Sequence, residues 1–224
     1  MRVIIPLAGR GSRLRPATDI VPKSLLEYRG RTILSYILES LQVLDISEYI
    51  FVVGYRGQQV RDYVAANYSD LRVVFVEQSD LKGVGDAIFQ VRGVSDTWLD
   101  NNPILIVLGD VIVDTDWKLF VACQRSVVGV QTVWSKKPYG IAFGIGDRVS
   151  RFQEKPVQVD SKLAGCYLIH EVNVFFECLE KIMTNCSKTD GEYQLTDALD
   201  LMLCCGVHIF RREVELVDWE REYR

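Results

Sequence analysis

Apolar residues run along this chain in two rhythms. Short unbroken runs, in "RVIIPL", "YIFVVGY", "RVVFVEQ" and "PILIVLGD", read as strands buried on both faces. Between them helical spacing takes over. "ILSYILESLQVL" sets Leu34, Ile37, Leu38 and Leu41 on one face, and "GQQVRDYVAANY" and "GVGDAIFQVRGV" predict two further helices. Strands alternating with helices predict an α/β fold: a mainly parallel, Rossmann-like central sheet flanked by helices on both faces. Ligands of such sheets bind beyond the carboxyl ends of the strands. The loop after the first strand, Gln78 and Asp110 are all predicted at that rim.

The rhythm loosens after Asp110. "SVVGVQTVW", "YGIAFGIGDRVSRFQEK" and "AGCYLIH" predict strands, the middle one a hairpin turning at "GIGD". "EVNVFFECLEKIM" and "GEYQLTDALDLMLCC" predict helices, the second with Leu195, Leu199, Met202 and Leu203 inward and a stop at Gly206. "EVELVDW" predicts a closing strand. With no repeat, linker or low-complexity stretch, residues 1–224 read as a single domain.

Composition narrows this picture only slightly. The chain is 48% hydrophobic and 25% charged, with a net charge of −4, which speaks against a nucleic-acid surface. No run approaches the roughly eighteen apolar residues of a membrane helix. The first apolar run breaks at Pro6 and Gly9, too early for a secretory signal. The cysteines at 123, 166, 178, 186, 204 and 205 form no CxxC pair, and His170 and His208 have no partner at metal-ligand spacing. Free thiols and a cytoplasmic setting are expected.

Candidate chemistry begins in "IIPLAGRGSRLRPAT". Gly9 and Gly11 permit close backbone approach and positive φ, so successive N–H groups can cradle an anion. Arg13 and Lys23 supply full charges for a polyphosphate. Leu14 stands where a dinucleotide fingerprint needs its third glycine, and Lys23 lies outside Walker-A spacing. An ordinary glycine turn is the plainer reading of this loop alone. Asp110, ending "LIVLGD", stands where magnesium would be held against a nucleotide; a helix cap or solubilising carboxylate is its plainer alternative. Glu154 and Lys155 in "RFQEKP" could be a surface ion pair.

Together these motifs are far more specific. "PLAGRGSRLRPAT" followed by "PKSLLEYRGRTIL" resembles the signature of the sugar-1-phosphate nucleotidylyltransferases, the nucleotide-sugar pyrophosphorylases. "VEQSDLKGVGDAI", "LGD", "YGIAFGIGDRVSRFQEKP", "AGCYLI" and "GEYQLTDALDLMLCCG" follow in the family's order. The resemblance implies the nucleotide-diphospho-sugar transferase fold and transfer of a nucleotidyl group from a nucleoside triphosphate to a sugar 1-phosphate, with Mg2+. It implies that Leu7, Ala8, Gly9, Arg10, Gly11 and Ser12 bind nucleotide, with Gln78 and Gly83 at the base. Arg13, Lys23 and Asp110 would be catalytic. Gly140, Glu154, Lys155 and Tyr167 would hold the sugar phosphate. A side-chain amide at Gln78 suits the imide edge of uracil or thymine, although a flipped amide could meet cytosine.

The chain also departs from the family. A second metal-binding aspartate is expected within a tryptophan-x-aspartate-x-glycine stretch. Here "VELVDWEREYR" offers Asp218 if the register shifts; if Trp219 aligns, Arg221 takes the aspartate's place. No left-handed β-helix follows within these residues. Alternatives from other classes are a catalytically weak regulatory relative that binds nucleotide sugars, and a cytidylyltransferase acting on another phosphorylated acceptor. Relatives often form homo-oligomers, which the sequence leaves open.

Overall fold

The computed structural model describes residues 1–94, 102–132, 140–154 and 161–223. Its first half contains β1 (Arg2–Pro6), the short ribbon β2 (Glu27–Tyr28) and β3 (Arg31–Thr32), α1 (Ile33–Leu41), β4 (Glu48–Val53), α2 (Gly57–Asn67), β5 (Val73–Glu77), α3 (Val84–Phe89) and β6 (Ile104–Val107). Then come β7 (Val113–Asp114), α4 (Trp117–Val121), β8 (Ser126–Thr132), β9 (Gly140–Ile145), β10 (Arg148–Glu154) and β11 (Ser161–Ile169). The last elements are α5 (Val172–Thr184), α6 (Leu195–Cys204), β12 (Ile209–Glu213) and β13 (Glu215–Leu216).

Nine strands form one sheet in the order β5-β4-β1-β6-β11-β8-β12-β10-β9. The sheet is mixed, which corrects the expectation of a mainly parallel one. β5, β4, β1 and β6 are mutually parallel. From β11 onward the pairings turn antiparallel, except that β12 runs parallel to β8. The physical reason lies in the connections. Helical crossovers link the first four strands, whereas a tight turn at Gly146 (φ 61°) joins β9 to β10 and returns the chain beside itself.

Two layers of core cover the sheet, as strand alternation requires. Ile4, Ile50, Val52, Ile104 and Ile106 face one way, against α3, α5 and α6. Val3, Ile5, Phe51, Val53, Leu105 and Val107 face the other, against α1 and α2. Each such side chain, fully buried, contributes about 1.5–3 kcal/mol relative to exposure. Thr32 caps α1, its Oγ1 accepting from Ser35 N at 3.1 Å.

Three local expectations are corrected. "EVELVDW" does not join the main sheet; β13 pairs with β7 in a separate ribbon, and "IFRRE" supplies β12. Three consecutive charges, Arg211, Arg212 and Glu213, hid this strand. The last long helix starts only at Leu195, after "GEYQ", and α4 was not foreseen. No helix among the described residues is long and apolar enough to cross a membrane.

Candidate active site

The opening loop is tied down at both ends and open between. Leu7 N donates to Val52 O (2.7 Å), Tyr55 N to Ala8 O (3.1 Å), and Leu7, Ala8 and Leu14 are buried. Gly11 takes φ 62° and starts a short 3-10 turn over Ser12–Leu14. A side chain at Gly11 would press within 2.9 Å of Thr18 Cγ2, and Thr18 Oγ1 donates to the Gly11 carbonyl at 3.0 Å. Nothing lies within 4 Å of where a Cβ would stand on Gly9. Residues 9–13 thus rim a cleft of about 580 Å³ that is lined also by Leu7, Ala8, Lys23, Ser24, Gln78, Gly83, Asp110 and Glu192. Arg15 is not among its lining residues; it pairs with Asp19 at 3.2 Å.

Lys23 is the electrostatic centre of the cleft. Its Nζ donates to Asp110 Oδ2 and to Glu220 Oε1, both at 2.8 Å. The ammonium also lies 5.4 Å from the Trp219 ring centroid, within cation–π range. Burial alone would lower its pKa; the charges and hydrogen bonds of Asp110 and Glu220 overcome this and hold it above the ordinary lysine value. Asp110 is presented by the end of β6. Gly109 lets β6 lie against β1, because a Cβ there would come within 2.1 Å of Leu7 Cδ2 and 2.7 Å of the Pro6 carbonyl. Trp219 Nε1 donates to the Asp110 carbonyl at 3.0 Å, so the late 3-10 turn Trp219–Tyr223 is fastened to the same strand end.

Asp218 is not part of this group. It pairs with Arg221 at 2.6 Å, and Glu220 is the carboxylate that reaches Lys23. The physical reason is the turn: burial of Trp219 on one side carries Asp218 and Arg221 outward, where both are exposed, and brings Glu220 in. Among the described residues no cluster of three or more His, Cys, Asp or Glu is placed to hold a metal. Two hard carboxylate oxygens converging on one cationic nitrogen nevertheless suit a divalent cation of the magnesium kind, which completes its shell with substrate oxygens and water.

Gln78, directly after β5, lines the cleft together with Gly83 and Val84. Its backbone N donates to Val53 O at 2.8 Å. Gly83 has φ 109°, and a Cβ there would meet the Tyr193 carbonyl at 2.5 Å. The "GEYQ" segment clamps this loop: Tyr193 N donates to Lys82 O and Gly85 N to Tyr193 O, each at 2.8 Å.

A third group lies on β9, β10, β11 and the start of α6, outside the residues that line this cleft. Glu154 Oε1 accepts from Thr196 Oγ1 at 2.8 Å, and a Cβ on Gly140 would approach the same oxygen at 2.8 Å. Tyr167 is buried on β11. Burial first, then the charges of Cys166, Glu154 and Asp110, push its phenol far above the ordinary tyrosine value, so it stays protonated. Tyr167 therefore lies in electrostatic reach of both carboxylates. Lys155 falls outside the described residues.

Ser24, Asp86, Glu192, Thr196 and Glu220 were missed from sequence. "GEYQLTD" held a signal for Glu192 and Thr196, and "DWERE" held one for Glu220. Ser24 Oγ is buried in the cleft wall without a hydrogen-bond partner among the described residues.

A cleft at the carboxyl rim of parallel strands, beside a glycine-rich loop, marks the nucleotide-handling α/β proteins, and here the class can be given: the chain belongs to the nucleotidyl transferase family, whose model matches residues 2–202. The resemblance read from the motifs, to the sugar-1-phosphate nucleotidylyltransferases, agrees with that family. The chain is 30% identical over 200 residues to the bifunctional protein GlmU of Methanocaldococcus jannaschii, covering 89% of this chain and 46% of that protein. It therefore spans about half the length of the GlmU relatives it matches. It is 28% identical over 240 residues to UTP–glucose-1-phosphate uridylyltransferase 2 of Staphylococcus saprophyticus, covering 89% of this chain and 80% of the other. A solved UDP-glucose pyrophosphorylase complexed with UDP-glucose shares the fold, with a TM-score of 0.81 at 21% identity over 99% of this chain and 95% of that one.

Proposed function

We propose that this chain transfers a nucleotidyl group from a nucleoside triphosphate, UTP or dTTP in preference, to a sugar 1-phosphate, with release of pyrophosphate. The observation that carries the reading is Lys23, held between Asp110 and Glu220 in a cleft that runs from the glycine loop to Gln78.

A phosphate oxygen of the sugar 1-phosphate attacks the α-phosphorus as the bond to the bridging oxygen of pyrophosphate breaks. The nucleophile is already an anion, so no general base is required. Catalysis is then a matter of holding two anions in line and stabilising charge on the moving phosphoryl group. Residues Gly9 to Ser12 wrap the triphosphate through backbone N–H groups, and Arg13 balances charge on the departing pyrophosphate. Lys23 addresses the α-phosphate. Glu154 accepts from sugar hydroxyls beside Gly140 and Tyr167, and Lys155 grips the sugar phosphate. Asp110 and Glu220 are the residues that would hold Mg2+, which when bound supplies charge neutralisation at phosphate oxygens. Glu220, in place of the expected aspartate, weakens the case for an inert regulatory relative. Residues 1–224 act as one domain in this reading, in the cytoplasm.

The test is pyrophosphate release by the purified chain with magnesium. UTP, dTTP, CTP, GTP and ATP are each offered with glucose, galactose, N-acetylglucosamine and mannose 1-phosphates. Release that requires one sugar phosphate together with UTP or dTTP is expected. Silence across the grid, with nucleotide binding retained in calorimetry, would favour the regulatory relative instead.

A further inference from the structure

Gln78 and Asp86 are both buried, 4% and 6% exposed, and they are bonded to each other. Gln78 Nε2 donates to Asp86 Oδ2 at 2.6 Å and to the Gly83 carbonyl at 3.1 Å. The other oxygen of Asp86 accepts from Gln90 Nε2 at 3.0 Å. A carboxamide has two N–H donors, and both are consumed here. Its orientation follows from chemistry, since a carboxylate and a carbonyl only accept; turning the amide over would set oxygen against oxygen at both contacts. The Gly83 carbonyl is itself held by the left-handed backbone and the Tyr193 clamp. What remains to Gln78 is Oε1, with no described residue donating to it, and Gln78 is one of the residues that line the cleft.

We infer that Asp86 is a positioning residue for base selection: it locks the Gln78 amide so that only an acceptor faces the base, and the site selects a pyrimidine with a ring N–H. This rests on the proposed nucleotidyl transfer and sharpens its base preference. Uracil and thymine present N3–H to that oxygen. Cytosine presents a lone pair at N3, and the amide flip that would accommodate it is opposed by Asp86 together with the Gly83 carbonyl. Guanine also carries a ring N–H, so the informative probes are pyrimidines of matched size.

The experiment measures binding of UTP, 3-methyl-UTP and CTP to the full chain by calorimetry, together with pyrophosphate release from each. Wild type is expected to bind UTP about tenfold to a hundredfold more tightly than either analogue, since each leaves a polar group facing a mismatched partner. Asp86→Asn supplies a donor as well as an acceptor and removes the stronger of the two contacts that oppose a turned amide, leaving only the Gly83 carbonyl against it. The UTP-to-CTP affinity ratio should then fall by about tenfold. Equal weakening of both nucleotides by Asp86→Asn would mean a merely structural role and overturn the inference, as would an unchanged ratio. Wild type binding 3-methyl-UTP or CTP as tightly as UTP overturns it without any variant, so a variant that misfolds leaves the question decidable. Discrimination without pyrophosphate release from any pair keeps the base inference and removes the proposed reaction. Release with no discrimination does the reverse, and no binding of any nucleotide removes both.

Discussion

At the residue scale, the cleft is governed by one ammonium with two carboxylate partners. Lys23→Ala and Asp110→Ala are each expected to lower turnover by about 10²-fold or more with the fold retained, as loss of a charge-stabilising group does. Wild-type rates in either purified variant would remove these residues from the chemistry. Glu220→Gln and Asp218→Asn separate the two candidate carboxylates. The first should weaken Mg2+ binding and slow turnover by at least tenfold, and the second should leave both within twofold, measured by calorimetry and pyrophosphate release. The raised pKa of Lys23 sets a sign for alkaline stability. Its contribution is complete below the unfolded lysine value of about 10.4 and is lost as pH rises through the higher folded value. The stability gap between wild type and Lys23→Met in urea should be flat from pH 7 to about 10 and narrow above that; a gap that changes across neutral pH would point to another group. Most of these residues were legible in the sequence, because glycines and strand-end charges announce themselves locally. Glu220 was not, since its role depends on which way a turn faces after Trp219 is buried.

At the element scale, the buried strands and long helices were readable wherever periodicity was strong. α1, α2 and α5 match their apolar stripes to within a few residues of each end. Strand direction was not readable after β6, because an apolar run looks the same in a parallel or antiparallel pair. The charged strand β12 was hidden for the opposite reason: Arg211, Arg212 and Glu213 break the apolar signal, while the ladder to β8 keeps the strand in place. The loop between β5 and α3 gives a prediction at this scale. Gly83→Ala must place a Cβ at φ 109° and 2.5 Å from the Tyr193 carbonyl. It should cost about 1–3 kcal/mol of stability and weaken UTP binding, both measurable by thermal melting with and without nucleotide. An unaltered melting curve would show that the "GEYQ" clamp yields easily.

At the scale of the whole molecule, the site is assembled from distant parts of the chain: the loop after β1, the ends of β5 and β6, and the turn after β13. Trp219, 2% exposed, is the hinge of that assembly. Trp219→Ala should destabilise the fold by about 3–5 kcal/mol and also depress nucleotide turnover, because Glu220 loses its seat. Trp219→Phe should restore most of the stability. If it restores no turnover, the indole bond to the Asp110 carbonyl is the part that matters. The Lys23–Glu220 contact joins residues 197 positions apart. A ribosome adding about 5–20 residues per second makes Glu220 roughly 10–40 s after Lys23. Asp110 follows Lys23 by 87 positions, so in the later part of that interval the Lys23–Asp110 pair can already form while the contact to Glu220 still awaits its residue.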